Sequence, residues 1–180
     1  MTRNLIMMSV LLTAAIILTG CSKPEKPDSF IYTVNEYPLY QGFIHNYGMP
    51  EGATGYNFDA TIHSQGVSYI RERHEFVGVG HVVFFQMFSS SAAELSEGTY
   101  LFNTADAGAP FTFNVANFGM NVDFSNDIGT TVTAVSGSVK VSGTGDNRTF
   151  EFECMTGSGE KITGHFNGWI PEFDMRDSRK

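Results

Sequence analysis

Cysteine is almost absent from this chain: among 180 residues there are two, Cys21 and Cys154. With Cys21 committed to other chemistry, as argued below, no internal disulfide is possible and a disulfide-stapled scaffold is excluded. Basic residues are also scarce, 11 against 19 acidic ones, for a net charge of −8. That balance argues against binding nucleic acid or an anionic membrane through charge. No apolar run reaches the roughly 20 residues of a spanning helix. No long helical periodicity runs through the chain. Several chemical signatures are missing too: there is no His-Glu-x-x-His, no Gly-x-Ser-x-Gly elbow and no phosphate-cradling glycine loop.

What is present begins with a leader. Residues 1–4 carry Arg3, and residues 5–18 are almost wholly apolar. The run is too short to span and reads as the h-region of a signal peptide. Leu18-Thr19-Gly20-Cys21 closes it. Small residues before a cysteine give a peptidase access to the backbone, the pattern of a bacterial lipoprotein precursor cut before an acylated Cys21. Three acyl chains (palmitate is the common kind) would hold such a protein firmly, because stable anchoring takes two signals. Ser22, where Asp would favour inner-membrane retention, points to the outer membrane. Residues 22–29, SKPEKPDS, read as an extended tether. The expected organisation is a signal peptide at 1–20, lipidated Cys21 and tether at 21–29, one domain at 30–172 and a tail at 173–180. Loss of Arg3 with the leader takes the mature charge to −9.

Gly, Phe, Val and Thr dominate the rest, with short alternating runs that predict an all-β domain. Residues 30–34 and 39–47 are strand candidates. In residues 56–63, Tyr56, Phe58, Ala60 and Ile62 alternate with Asn57, Asp59, Thr61 and His63, predicting one dry and one wet face. Residues 67–76 hold a polar Arg71–Glu75 run that suits an edge or an exposed loop. Residues 79–88 are apolar on both faces and predict a central strand. Residues 89–97 suit a short helical turn, 98–102 a strand, and Gly119 a turn between strands at 111–115 and 122–124. The clearest signal is a C-terminal meander: strands at 135–141, 148–155 and 162–167, joined by Gly-rich hairpins at 143–147 and 157–159. The expected fold is a single antiparallel β-barrel or β-sandwich of about eight strands.

The segments GTYLF (98–102), SGSVKVSGTGDNRTFEFEC (136–154) and GEKITGHFNG (159–168) resemble a pattern in small Bacteroidota-type lipoproteins. The likeness spans roughly residues 55–170 and rests on turns and alternation. It implies a β-barrel or β-sandwich, calycin-like in some members, and brings no catalytic residue with it.

The candidate chemistry is thin. His63, His74 and His81 lie within 19 residues, but a zinc site needs ligands converging at about 2.0–2.1 Å. Packed or exposed histidines are the commoner outcome. Asp123, Asn126 and Asp127 precede Gly129 without EF-hand spacing. Asp59, Glu72 and Glu75 could form an acid/base pair for glycoside hydrolysis only if they met in a cleft. Cys154 shares a strand face with Phe150 and Phe152, so it reads as core, and Glu151 and Glu153 would raise its pKa. Exposed aromatics remain, with Tyr40, Tyr47 and Trp169 as candidate ligand or partner contacts. The expectation is a non-enzymatic envelope module with no cofactor and no metal. It would bind a protein, a glycan or a small apolar ligand and touch the membrane through Cys21. The alternatives are a calycin-like carrier, which an interior full of Phe side chains would exclude, and a surface hydrolase.

Overall fold

The computed structural model describes residues 26–106 and 108–179. The expected signal peptide at 1–20 and Cys21 lie outside the described residues. The strands are β1 (Ser29–Tyr32), β2 (Asn35–Pro38), β3 (Gln41–Gly48), β4 (Tyr56–His63), β5 (Val67–Ile70) and β6 (Glu75–Ser89). They continue with β7 (Gly98–Phe102), β8 (Thr112–Asp123), β9 (Ile128–Ser142), β10 (Asn147–Thr156), β11 (Lys161–Trp169) and β12 (Glu172–Asp174). Two 3-10 turns, Arg71–Arg73 and Arg176–Arg179, complete the elements, with no α-helix among the described residues.

The all-β expectation holds, and its finer form is corrected. Twelve strands, not about eight, make one open sheet in the order β12-β3-β4-β6-β8-β7-β9-β10-β11-β1-β2, with β5 paired to β6. The pairing is not wholly antiparallel. β8 and β9 are antiparallel partners that splay, and β7 wedges between them. Being antiparallel to β9, β7 must run parallel to β8. β12 also lies parallel to β3. The meander β9-β10-β11 is where the alternation and hairpin glycines placed it.

The sheet rolls so that its inner face encloses one core. Phe30 on β1 meets Phe118 on β8 at 5.8 Å between ring centroids, and Phe85 on β6 meets Phe152 on β10 at 5.3 Å. Phe58, Phe113, Phe150 and Phe166 are fully buried in the same cluster. Burial of each such ring contributes about 1.5–3 kcal/mol. The rolled sheet comes close to itself at Gly42: a Cβ there would meet Ile170 Cδ1 at 2.9 Å.

One buried charge fastens the rim. Arg148 is 2% exposed, and its guanidinium donates to the Leu95 carbonyl and lies 3.4 Å from both Glu94 and Glu172. Ser89 Oγ donates to the Glu94 carbonyl at 3.0 Å. These bonds set the 90–97 segment as an irregular loop, in place of the expected helical turn. Gly119 is also not a turn. It lies within continuous β8, where a Cβ would come 2.8 Å from Val82 Cγ1, so the residue permits close strand approach.

At the two ends the chain is tied down. Asp28 accepts from the Asn167 backbone N–H at 2.7 Å, and Lys26 pairs with Glu151. Met175 is buried and donates its N–H to Asn46 at 2.8 Å. No helix among the described residues is long and apolar enough to cross a membrane.

Candidate functional site: an aromatic cleft on the outer face

Alternation on β3 sends Gly42 and Ile44 inward and Phe43, His45 and Tyr47 outward. On β4 it sends Asn57, Asp59, Thr61 and His63 outward. A wet face was expected there, yet Asn57, Thr61 and His63 are 4% exposed or less. Over Thr61 and His63 the cover is the hairpin of β5 and β6. Tyr69 on β5 stacks on Phe43 at 4.4 Å, and Phe76 on β6 lies 5.0 Å from Tyr69. The polar Arg71–Glu75 run is exposed, as expected, but it is the crown of this hairpin. His74 takes a left-handed conformation there, φ 51°, and its Nδ1 lies 3.0 Å from the Tyr69 hydroxyl.

Between hairpin and sheet lies a cleft of about 400 Å³. Tyr47, Tyr69, Phe76 and Phe84 line it as half-buried rings, and Asp59 and Thr61 contribute polar groups from β4. One Asp59 oxygen accepts from Asn57 Nδ2 at 2.9 Å.

His45 is the distinctive member. It is 5% exposed, lies 4.9 Å from Phe43 and 5.5 Å from Tyr69, and its Nε2 is buried without a hydrogen-bond partner. Burial pushes its pKa down to about 4, with His74 and Arg71 adding to the effect. The ring is therefore neutral near pH 7 and holds an unsatisfied polar nitrogen against aromatic walls. Such a group is costly unless something pairs with it.

A second recess of about 190 Å³ adjoins the cleft and shares Phe43 and Tyr69 with it. Arg71 sits over the Phe173 ring at 4.4 Å, within cation–π range. Trp169 also lines this recess and is 59% exposed.

The residues singled out from sequence fall differently. Tyr47 lines the cleft and Trp169 the neighbouring recess, whereas Tyr40 is exposed and lines neither. His63 and His81 are on opposite faces of the sheet. His63 bonds the Ser64 carbonyl at 3.0 Å, and His81 accepts from the Asn121 N–H at 3.1 Å. Among the described residues no three His, Cys, Asp or Glu side chains gather as metal ligands. Asp123 is occupied by its own turn, accepting from Ser125 and Asn126, which lowers its pKa. Glu72 is exposed on the hairpin crown, and Glu75 pairs with Arg73 at 3.2 Å, so neither joins Asp59 in an acid/base pair. Cys154 is buried, and burial, with Glu153, lifts its thiol pKa to about 12.

Sequence reasoning missed His45. The signal was the in-phase triplet Phe43-x-His45-x-Tyr47, set against Ile44 on the opposite face of the same strand. That pattern marks a strand covered on both sides.

No protein-family model matches the chain, and neither a curated protein nor a solved structure matches it.

Proposed function

We propose that this chain is a non-enzymatic binding module of the bacterial envelope, held on the outer membrane by acyl chains on Cys21. Its ligand site is the cleft between the β5–β6 hairpin and the outer face of β3 and β4. The likeness to small Bacteroidota-type lipoproteins and the residue 18–21 pattern support the anchoring. The docking of Lys26 and Asp28 on β10 and β11 adds a geometric limit: five residues of extended chain reach about 17–18 Å, so the domain would stay close to the lipid surface.

One observation carries the binding reading: a buried, partnerless His45 Nε2 inside a ring-lined cleft. Folding leaves this nitrogen unsatisfied, and an incoming hydrogen-bonding group would relieve that. The internal-carrier alternative loses support, because fully buried Phe side chains fill the core.

Two experiments test the reading. Labelling with a palmitate analogue in the native host is expected to mark the wild-type chain and not Cys21→Ser. Ligand-observed NMR against a mixed library of neutral, cationic, anionic and apolar fragments is expected to give binders that His45→Phe and Tyr69→Ala lose. Binders indifferent to both substitutions would move the site elsewhere.

A further inference from the structure

We infer that the cleft takes a neutral sugar ring, an assignment of ligand class that rests on the cleft being the binding site. The argument is one of complementarity. Half-buried rings of Tyr47, Tyr69, Phe76 and Phe84 offer apolar surface, onto which the C–H face of a pyranose packs well. Beside them stand a partnerless imidazole nitrogen on His45, the Thr61 hydroxyl and the Asp59 carboxylate. A sugar hydroxyl both donates and accepts, so one ligand serves a carboxylate that only accepts and an imidazole of either tautomer.

The competing classes each leave a mismatch. A wholly apolar ligand would cover the His45 nitrogen without pairing it. A quaternary ammonium could pack against the rings and face Asp59, yet it has no hydrogen bond for His45. An anion would meet Asp59 in the cleft, on a chain with a net charge of −8. The cleft volume lies in the range of small-ligand sites, about 300–1,000 Å³, and Trp169 on the adjoining recess offers a further ring to a longer glycan.

The test uses the full chain in a polyoxyethylene detergent, so that no sugar headgroup competes. Methyl glycosides of glucose, galactose, mannose and N-acetylglucosamine are titrated beside methyl glucuronide, choline and an apolar fragment set. At least one neutral glycoside is expected to bind with a Kd of about 1 mM or tighter. Tyr69→Ala and the gentler Phe76→Leu are each expected to weaken it, Tyr69→Ala by about tenfold. His45→Phe, which keeps a ring and removes the nitrogen, is expected to do the same. Binding of choline, glucuronide or apolar fragments alone, lost in Tyr69→Ala, overturns the sugar assignment and leaves the cleft as the site. If no probe of any class binds, the sugar assignment and the cleft reading fall together.

Discussion

On the outer side of β10 and β11, Glu153 and Lys161 stand in solvent, and Glu151 is half-buried and paired with Lys26. Lys161 pairs with Glu153 at 2.9 Å, with both side chains more than half exposed. On the outer side of β3 and β4, Phe43, His45 and Thr61 are buried. Both regions sit on the same rolled sheet, over the same core. They differ in what lies on top. The first carries only the narrow strap of Lys26 and Asp28, while the second carries a hairpin that brings two aromatic rings. Each cover buries an imidazole nitrogen, His165 Nδ1 beneath the strap and 3.3 Å from the Asp28 carboxylate, and His45 Nε2 in the ring-lined cleft with no partner.

The sharpest way to break this comparison is to delete a side chain at an outward position of each region. Phe43→Ala is expected to destabilise the fold by about 3–5 kcal/mol, as a core phenylalanine would. Glu153→Ala is expected to change stability by less than about 0.5 kcal/mol. Urea unfolding measures both. A loss at Phe43 no larger than at Glu153 would mean that the hairpin does not cover β3 in solution.

Acid separates the two regions next. His45 has a folded pKa of about 4, below its ordinary 6.5. Between those values the unfolded chain binds the proton that the folded one refuses, so stability falls as pH drops from about 6.5 towards 4. The full effect is up to about 3 kcal/mol at 1.36 per pKa unit. His63 and His81, lowered by burial, contribute slopes of the same sign. Glu172, raised by burial, opposes them: above its ordinary pKa of 4.5 the unfolded chain has already released a proton that the fold retains, so its contribution falls as pH rises through that interval. The His45 share is isolated by comparing wild type with His45→Phe from pH 7 to 4, where the substituted chain is expected to show the shallower loss. Parallel curves would place His45 in water.

These two cases also mark how far the sequence was legible. Alternation told inward from outward residues on β4 and β10 alike, because side-chain direction is local to the strand. The meander was readable for the same reason, since its strands are neighbours joined by short hairpins. What covers an outward face is a contact between residues distant in sequence, such as Tyr69 with Phe43. A local pattern such as Phe43-x-His45-x-Tyr47 tells that a face is covered, and not which element covers it. Asn57, Thr61 and His63 therefore read as wet. The strand count failed in a related way. β2 and β12 are short and owe their pairing to β1 and β3, and residues 67–76, expected as one strand, divide between β5 and the start of β6. Tyr47 and Trp169 were legible as surface aromatics, but the role of His45 depended on the hairpin above it.

A smaller effect tests whether the cover acts through ring contact. Tyr69→Leu retains apolar bulk but removes the stack on Phe43 and the hydroxyl contact with His74. The expected loss is about 1 kcal/mol. In a double-mutant cycle with Phe43→Leu the coupling is expected at about 0.5–1.5 kcal/mol. Additive losses would assign the cover to bulk burial alone.

The smallest effect belongs to the solvated region. Lys161 and Glu153 are cross-strand neighbours of the β10–β11 ladder, where Glu153 sits beside Thr163 and Met155 opposite Lys161. Both side chains hold rotamer freedom that the pair must give up, and water and salt screen their attraction. Lys161→Ala is therefore expected to cost about 0.2–0.5 kcal/mol at low salt and nothing measurable near 1 M salt. The Phe43→Ala loss is expected to persist at both ionic strengths, because it arises from packing rather than charge. If the Lys161 effect were large and resistant to salt, this face would be covered too, and the contrast between the two regions would collapse.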